Sequence, residues 1–193
     1  VSTDRGAESV RVKKILRNIP GERITAIATW KESEVILKLF LQGARNKRFL
    51  FNELRAADLL RQRQIPTPDI LHHSNTTDGR GTVLFIDQLK EALNLEQLFQ
   101  RAQTDAEQES VLKAAMQALA RCHQAGIWQD GFDMGQLLKA RERIYVLSSS
   151  RLQTQNEPLP IAQRTRLIAE FLAQLPVVCD EKLPQLCEYY QGT

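Results

Sequence analysis

The chain has 193 residues, of which 42% are hydrophobic, and it carries a formal net charge of +3. This length and apolar content suit one compact domain or two closely packed lobes, and they exclude a disordered chain. The basic residues are spread along the sequence, so the charge does not indicate a nucleic-acid-binding protein, and no apolar run approaches the ~20 residues that cross a bilayer.

The three cysteines, Cys122, Cys179 and Cys187, are odd in number and do not have the spacing of metal ligands. They indicate free thiols in a reducing compartment. The chain begins at Val1 rather than Met and shows no signal-peptide pattern. We therefore expect a processed chain or a longer parent polypeptide, located in the cytoplasm.

The first half of the sequence is rich in predicted strands. Two β-branched and aromatic runs, at 24–30 and 34–40, flank a short polar break and predict an antiparallel hairpin. A helical period follows over 45–64, and the prolines just beyond it end the helix. Short strands at 70–73 and 82–87 complete this half.

The second half is mostly helical. Its periodicity predicts helices at 95–103, 105–125, 161–175 and 181–190, with a two-strand element around 137–138 and 144–147. A β-rich part followed by an α-rich part is an α+β arrangement. We divide it into residues 1–89 and 90–193.

Several segments resemble, in order and spacing, the motifs of protein kinases. The strand V-I-L-K ending at Lys38 is similar to the strand whose lysine holds the nucleotide phosphates. Glu53 stands in the next helix, where kinases place the partner of that lysine. The segment 83–87 resembles the strand that enters the hinge between the lobes, and 119–127 resembles the helix end that leads to the catalytic loop.

The pattern is most similar to that of the lipopolysaccharide-core sugar kinases, which phosphorylate Kdo or heptose. The resemblance implies a two-lobed protein-kinase-like fold, with a β-rich N-lobe and a short helical C-lobe. It implies ATP as the nucleotide, bound by Lys38, Glu53, Asp87 and Leu89. It also implies a lipopolysaccharide-core sugar or an envelope-biosynthesis protein as the partner, met in the cytoplasm at the inner-membrane surface.

Three parts of the phosphoryl-transfer apparatus depart from this pattern. Gly131 stands where the family has its catalytic aspartate, Asp130 lies one residue early, and Gln136 takes the place of the following asparagine. The magnesium-binding D-F-G becomes three serines at 148–150, whose neutral hydroxyls are weak ligands for Mg²⁺. Gly21 is the only glycine in the loop that would cover the phosphates. We therefore expect no metal site.

Three functions remain open. The first is a pseudokinase that acts as a binding or scaffold module in assembly of the envelope sugar core. The second is a divergent ATP-dependent sugar or lipopolysaccharide kinase in which Asp130 or Asp133 has taken over the roles of base and metal ligand. The third is a structural domain that binds no nucleotide. The serines at 148–150 favour the first over the second, and the retention of Lys38 and Glu53 favours the first over the third.

Overall fold

The first half of the chain forms a five-stranded sheet and one long helix, in a computed structural model that describes residues 1–3 and 6–192. Residues 4, 5 and 193, which fall within the predicted ranges 1–89 and 90–193, lie outside this description. The elements are β1 Ser2–Thr3, β2 Gly6–Ala7, β3 Arg11–Ile19, β4 Arg23–Trp30, β5 Ser33–Leu41, α1 Ala44–Gln62, β6 Ile70–Asn75 and β7 Gly81–Asp87. The sheet has the antiparallel order β3-β4-β5-β7-β6.

The predicted hairpin between β4 and β5 is confirmed. Strand β4 buries alternate residues, β5 has buried residues on both faces, and every residue of β4 pairs with β5. The turn between them consists of Lys31 and Glu32, which both have positive φ, of 48° and 64°. Positive φ at both central residues is the feature of a type I′ turn, whose twist matches that of the flanking strands.

The sheet is covered by side chains on both faces. One face carries an apolar cluster in which the rings of Trp30 and Phe85 stack with centroids 4.5 Å apart. The other face packs against α1 through the buried Phe40 and Leu50. Because alternate residues of a strand point to the same face, Lys38 shares with Phe40 the face that meets α1.

Strand β3 is an element that the sequence analysis does not predict. It lies at the edge of the sheet with β4 as its neighbour, and every residue except Ile19 is exposed. Its pairing register shifts twice, between Val12 and Lys14 and between Ile15 and Arg17. Such irregularities break the alternation of apolar and polar residues by which a strand is recognised in a sequence.

Helices dominate the second half of the chain, as its periodicity predicts. The elements are β8 Leu93–Asn94, α2 Leu95–Arg101, α3 Asp105–Gln124, β9 Ile127–Trp128, β10 Leu137–Ala140, β11 Arg143–Val146, β12 Gln153–Thr154, α4 Ile161–Leu172 and α5 Leu183–Gln191. Capping boxes start α2 and α3, where the side chains of Asn94 and Thr104 accept hydrogen bonds from backbone N–H groups of the first turn. The fold is therefore α+β with two lobes, as predicted.

The core of the helical half is built around α3, whose buried Leu112, Met116 and Leu119 belong to one apolar cluster with residues of α2 and α5. His123, near the end of α3, is buried, and its Nδ1 lies 2.9 Å from the hydroxyl of Tyr190 on α5. Burial, and secondly the Arg164 guanidinium, lower the pKa of His123 to about 4. A neutral imidazole thus joins the two helices.

The ends of the last two helices differ from the prediction. Helix α4 ends at Leu172, and α5 begins at Leu183, after a 3₁₀ turn over Val177–Lys182 that the sequence analysis does not predict. Pro176 stands directly before this turn, and proline disfavours helical geometry in the residue before it. None of the described helices is both long enough and apolar enough to span a bilayer.

Candidate functional site

The side chains of Lys38 and Glu53 meet between the sheet and α1. Lys38 points from β5 toward the helix, and Glu53 follows the buried Leu50 by three residues, so both helix residues lie on the face that meets the sheet. The Nζ of Lys38 contacts Oε1 of Glu53. The contact expected between these two residues is present, and the Glu53 carboxylate is fully buried.

Arg23 is a third member of this cluster, and the sequence analysis missed it. Its Nη1 lies 3.2 Å from Oε2 of Glu53, and its guanidinium stands 5.6 Å from the centre of the Phe40 ring. One signal could have revealed it: Arg23 opens β4 opposite Phe40, so it points to the same face of the sheet as Lys38. Two cations therefore share one buried carboxylate.

The Lys38 side chain is largely removed from water, with 16% of it exposed. Burial, and secondly the nearby Arg23 guanidinium, lower the pKa of Lys38 from its usual 10.5 to about 7. Removal of water disfavours the charged form of an amine, and a neighbouring positive charge acts in the same direction. The protonation of this lysine is thus sensitive to any anion that enters the cleft.

A tight turn stands where a glycine-rich loop would cover phosphates. The N–H of Glu22 donates to the carbonyl of Ile19 over 3.0 Å, with Pro20 and Gly21 between them and a φ of 71° at Gly21. This is the sequence and geometry of a type II turn. The carbonyl of Gly21 also accepts a hydrogen bond of 3.1 Å from the side chain of Asn46, which ties the turn to α1.

The serines at 148–150 lie beside the same helix. Ser148 is buried, and the carbonyl of Ser150 is 3.5 Å from Nδ2 of Asn52, the neighbour of Glu53 in α1. The segment offers hydroxyls and carbonyls but no carboxylate, and nowhere in the described chain do three His, Cys, Asp or Glu side chains form a group that could hold a metal. These residues do not fit the magnesium ion that kinases use.

Asp130 and Asp133 occupy other surroundings. Both are exposed. The two carboxylate oxygens of Asp130 accept hydrogen bonds, one of 2.9 Å from Arg166 of α4 and one of 3.4 Å from the side chain of Gln153. The N–H of Asp133 donates to the side-chain oxygen of Gln136 over 3.2 Å, so Gln136 is engaged in a local turn. The Asp133 side chain lines a cavity of about 250 Å³ with Glu96, Met134, Gly135, Phe171, Gln174 and Leu175.

Asp87 is the last residue of β7 and Leu89 lies just beyond the strand, and both line a larger cleft of about 950 Å³. Its other walls are the β4–β5 turn and the β10–β11 turn, and Lys38 and Glu53 are not among its lining residues. Asp87 lies opposite Val35, three residues before Lys38 on β5, which is about 10 Å along a strand. The predicted nucleotide-binding residues thus form two groups at different points along β5.

Comparison with known families adds one finding. The family model of APH, described as a phosphotransferase enzyme family, matches residues 22–187. The match starts one residue before Arg23 and includes Lys38, Glu53 and the serines at 148–150. No curated protein matches the chain.

Proposed function

Because the chain belongs to the APH phosphotransferase enzyme family, we propose that it is a kinase-like domain that binds a nucleotide and transfers phosphate very slowly or not at all. The observation that carries this proposal is the buried ion pair of Lys38 and Glu53 beside the serines at 148–150, which offer no carboxylate. A buried ion pair adds little to the stability of a fold, so retention of this pair favours a cleft that still binds an anion.

The proposed nucleotide lies along β5. Its base would reach the Asp87 and Leu89 end of the strand, and its phosphates would reach Lys38. The spacing of about 10 Å between Val35, which faces Asp87, and Lys38 is one that a nucleoside triphosphate can bridge. This placement agrees with the division into lobes at 89 and 90, which we retain as part of the proposal.

Slow transfer follows from the groups that would have to act. Positioning and charge neutralisation supply most of the rate in phosphoryl transfer, and a carboxylate under the metal contributes to both. Gly131 cannot serve as a base, while Asp130 is bound by Arg166 on the surface. The Asp130 contact favours a pseudokinase over a divergent kinase that relies on Asp130.

The cellular setting of the proposal comes from the sequence resemblance to lipopolysaccharide-core sugar kinases. We place the domain in envelope sugar-core assembly, as a binding or scaffold module. Its partner would be a core sugar or an envelope-biosynthesis protein, met in the cytoplasm at the inner-membrane surface.

A thermal-shift titration with ATP, combined with a turnover assay, tests the function. We expect ATP to stabilise the wild type and the Asp130→Ala variant equally, and Lys38→Ala to lose most of the shift because the phosphates lose a charged partner. Labelled ATP with Kdo or heptose acceptors should show turnover far below the ~1–100 s⁻¹ of ordinary kinases.

Two outcomes would contradict the proposal. Turnover in the ordinary kinase range that is lost in Asp130→Ala would establish the divergent kinase. A wild type that ATP does not stabilise, with or without Mg²⁺, would favour the structural domain.

A further inference from the structure

The ion cluster at Glu53 carries an excess of positive charge whenever the Lys38 amine is protonated. Glu53 contributes one carboxylate, whereas Arg23 contributes a permanent cation at one of its oxygens and protonated Lys38 contributes a second cation at the other. The Arg23 side chain is only 16% exposed, so its charge is largely removed from water. Desolvated charge of one sign is stabilised by a counter-ion, and a single carboxylate cannot neutralise both partners.

Part of the Arg23 guanidinium is also unused. Its Nε is buried and has no hydrogen-bond partner among the described residues. Buried donors are nearly always paired, so an unpaired one needs an explanation. A guanidinium that binds Glu53 through one Nη and keeps Nε free can still donate to a second oxyanion, because its donors are arranged in a planar fork.

Two further arginines and one carboxylate act on Arg23. Burial lowers the pKa of Arg23, the Glu22 carboxylate raises it, and the guanidinium groups of Arg17 and Arg151 lower it. Arg151 directly follows the serines at 148–150, and the contact between Asn52 and Ser150 brings this segment to α1. The lobe thus presents serines and an arginine where the kinase pattern has a metal-binding carboxylate.

We propose that Arg23, assisted by Lys38 and Arg151, forms a metal-independent site for the phosphate groups of a nucleoside di- or triphosphate. Arg23 supplies the positive charge that a divalent cation supplies in kinases that retain the carboxylate. The inference rests on the proposed function, since it concerns the phosphate end of the proposed nucleotide site. It reverses the usual electrostatics of such a cleft, in which acidic side chains hold a metal and the metal holds the phosphates.

The test measures binding of ATP, ADP and inorganic tripolyphosphate to the full chain by calorimetry, first in EDTA and then in Mg²⁺. Wild type is expected to bind ATP with equal affinity under both conditions. Arg23→Gln should weaken binding in EDTA by about tenfold or more, the size expected for a lost charge-assisted hydrogen bond. Arg151→Gln, at the rim, should show a smaller loss.

Two further variants control the experiment. Arg80→Gln alters an exposed arginine in the β6–β7 turn and should bind like the wild type. Arg23→Lys keeps a positive charge beside Glu53 and so protects the fold. It should nevertheless bind ATP more weakly than the wild type, because lysine lacks the guanidinium fork.

The outcomes separate this inference from the proposed function. Equal affinities of Arg23→Gln and Arg80→Gln for ATP would overturn the role of Arg23 and leave nucleotide binding intact. Binding of ATP by the wild type only in the presence of Mg²⁺ would have the same consequence. Arg23-dependent binding of tripolyphosphate without either nucleotide would support the anion site and contradict the proposed function. Absence of binding by all three ligands would overturn both.

Discussion

Glu53 is the residue on which the candidate site depends. It is fully buried and accepts from Lys38 on one oxygen and from Arg23 on the other, so it fixes the positions of both cations. Removing one partner of a buried ion pair leaves the other charge uncompensated, which costs more than an exposed pair contributes. Glu53 is therefore a positioning residue, and the cations are the groups that can reach a ligand.

Lys38 leads to a prediction about protons. Its pKa of about 7 leaves the amine of the free protein mostly neutral at pH 8, and bound phosphate favours the charged form. We expect ATP binding at pH 8 to take up a proton, and the affinity to fall as the pH rises above about 7. Calorimetry in two buffers with different ionisation enthalpies measures this uptake.

The matched control for this prediction is Lys38→Arg. A guanidinium remains protonated throughout this pH range, so the binding of ATP to this variant should involve no proton uptake at residue 38. Equal proton uptake by wild type and variant would show that Lys38 is already charged in the free protein.

At the scale of elements, a tight turn between β3 and β4 stands where kinases have a glycine-rich phosphate loop. Asn46 is buried near the start of α1. Its side-chain amide donates a hydrogen bond of 3.1 Å to the carbonyl of Gly21 and one of 3.0 Å to the carbonyl of Leu41. These two bonds hold the turn and the end of β5 against the helix. The turn is thereby kept in place at the strand end that carries Arg23.

Replacing Asn46 by alanine should therefore destabilise the protein by about 1–3 kcal/mol, because two carbonyls lose their donor in a partly buried site. Urea unfolding measures this change. Asn52→Ala is the control on the same helix, since its single bond to Ser150 is long at 3.5 Å, and its cost should stay within about 0.5 kcal/mol. Similar losses in the two variants would contradict the role of Asn46.

The whole molecule is expected to lose stability in mild acid through His123. The folded state holds this imidazole at a pKa of about 4, below the ~6.5 of an unfolded chain, so the unfolded state binds more protons between these values. The stability that the neutral His123 contributes is therefore fully present above pH 6.5 and decreases as the pH falls toward 4. The buried ring accounts for about 3 kcal/mol of this loss.

Urea unfolding of wild type and His123→Gln across pH 7 to 4 isolates the effect. The stability difference between the two proteins should shrink as the pH falls, since the glutamine cannot be protonated. His73→Gln, at an exposed histidine of β6, is the control and should follow the wild type at every pH. A constant difference for His123→Gln would show that the histidine does not titrate on unfolding.

Local sequence patterns were sufficient for most of the fold. The β4–β5 hairpin, the long α1 and the capped α3 follow from alternation, helical period and turn residues, which act between near neighbours in the chain. The contact between Lys38 and Glu53 was also predictable, because a strand followed by a helix that packs on it brings their facing residues together. The α+β class, with the sheet before most of the helices in the chain, followed from the same patterns.

Only the tertiary structure decided what surrounds that pair. Arg23 reaches Glu53 across 30 residues, and Asp130 meets Arg166 across 36, through the packing of elements that are distant in the sequence. The edge strand β3 is formed by pairing with β4, although its own residues are exposed and irregular in pattern. The register of the β4–β5 hairpin could place Arg23 on the same face as Lys38, but which residues of other elements meet that face depends on how whole elements pack.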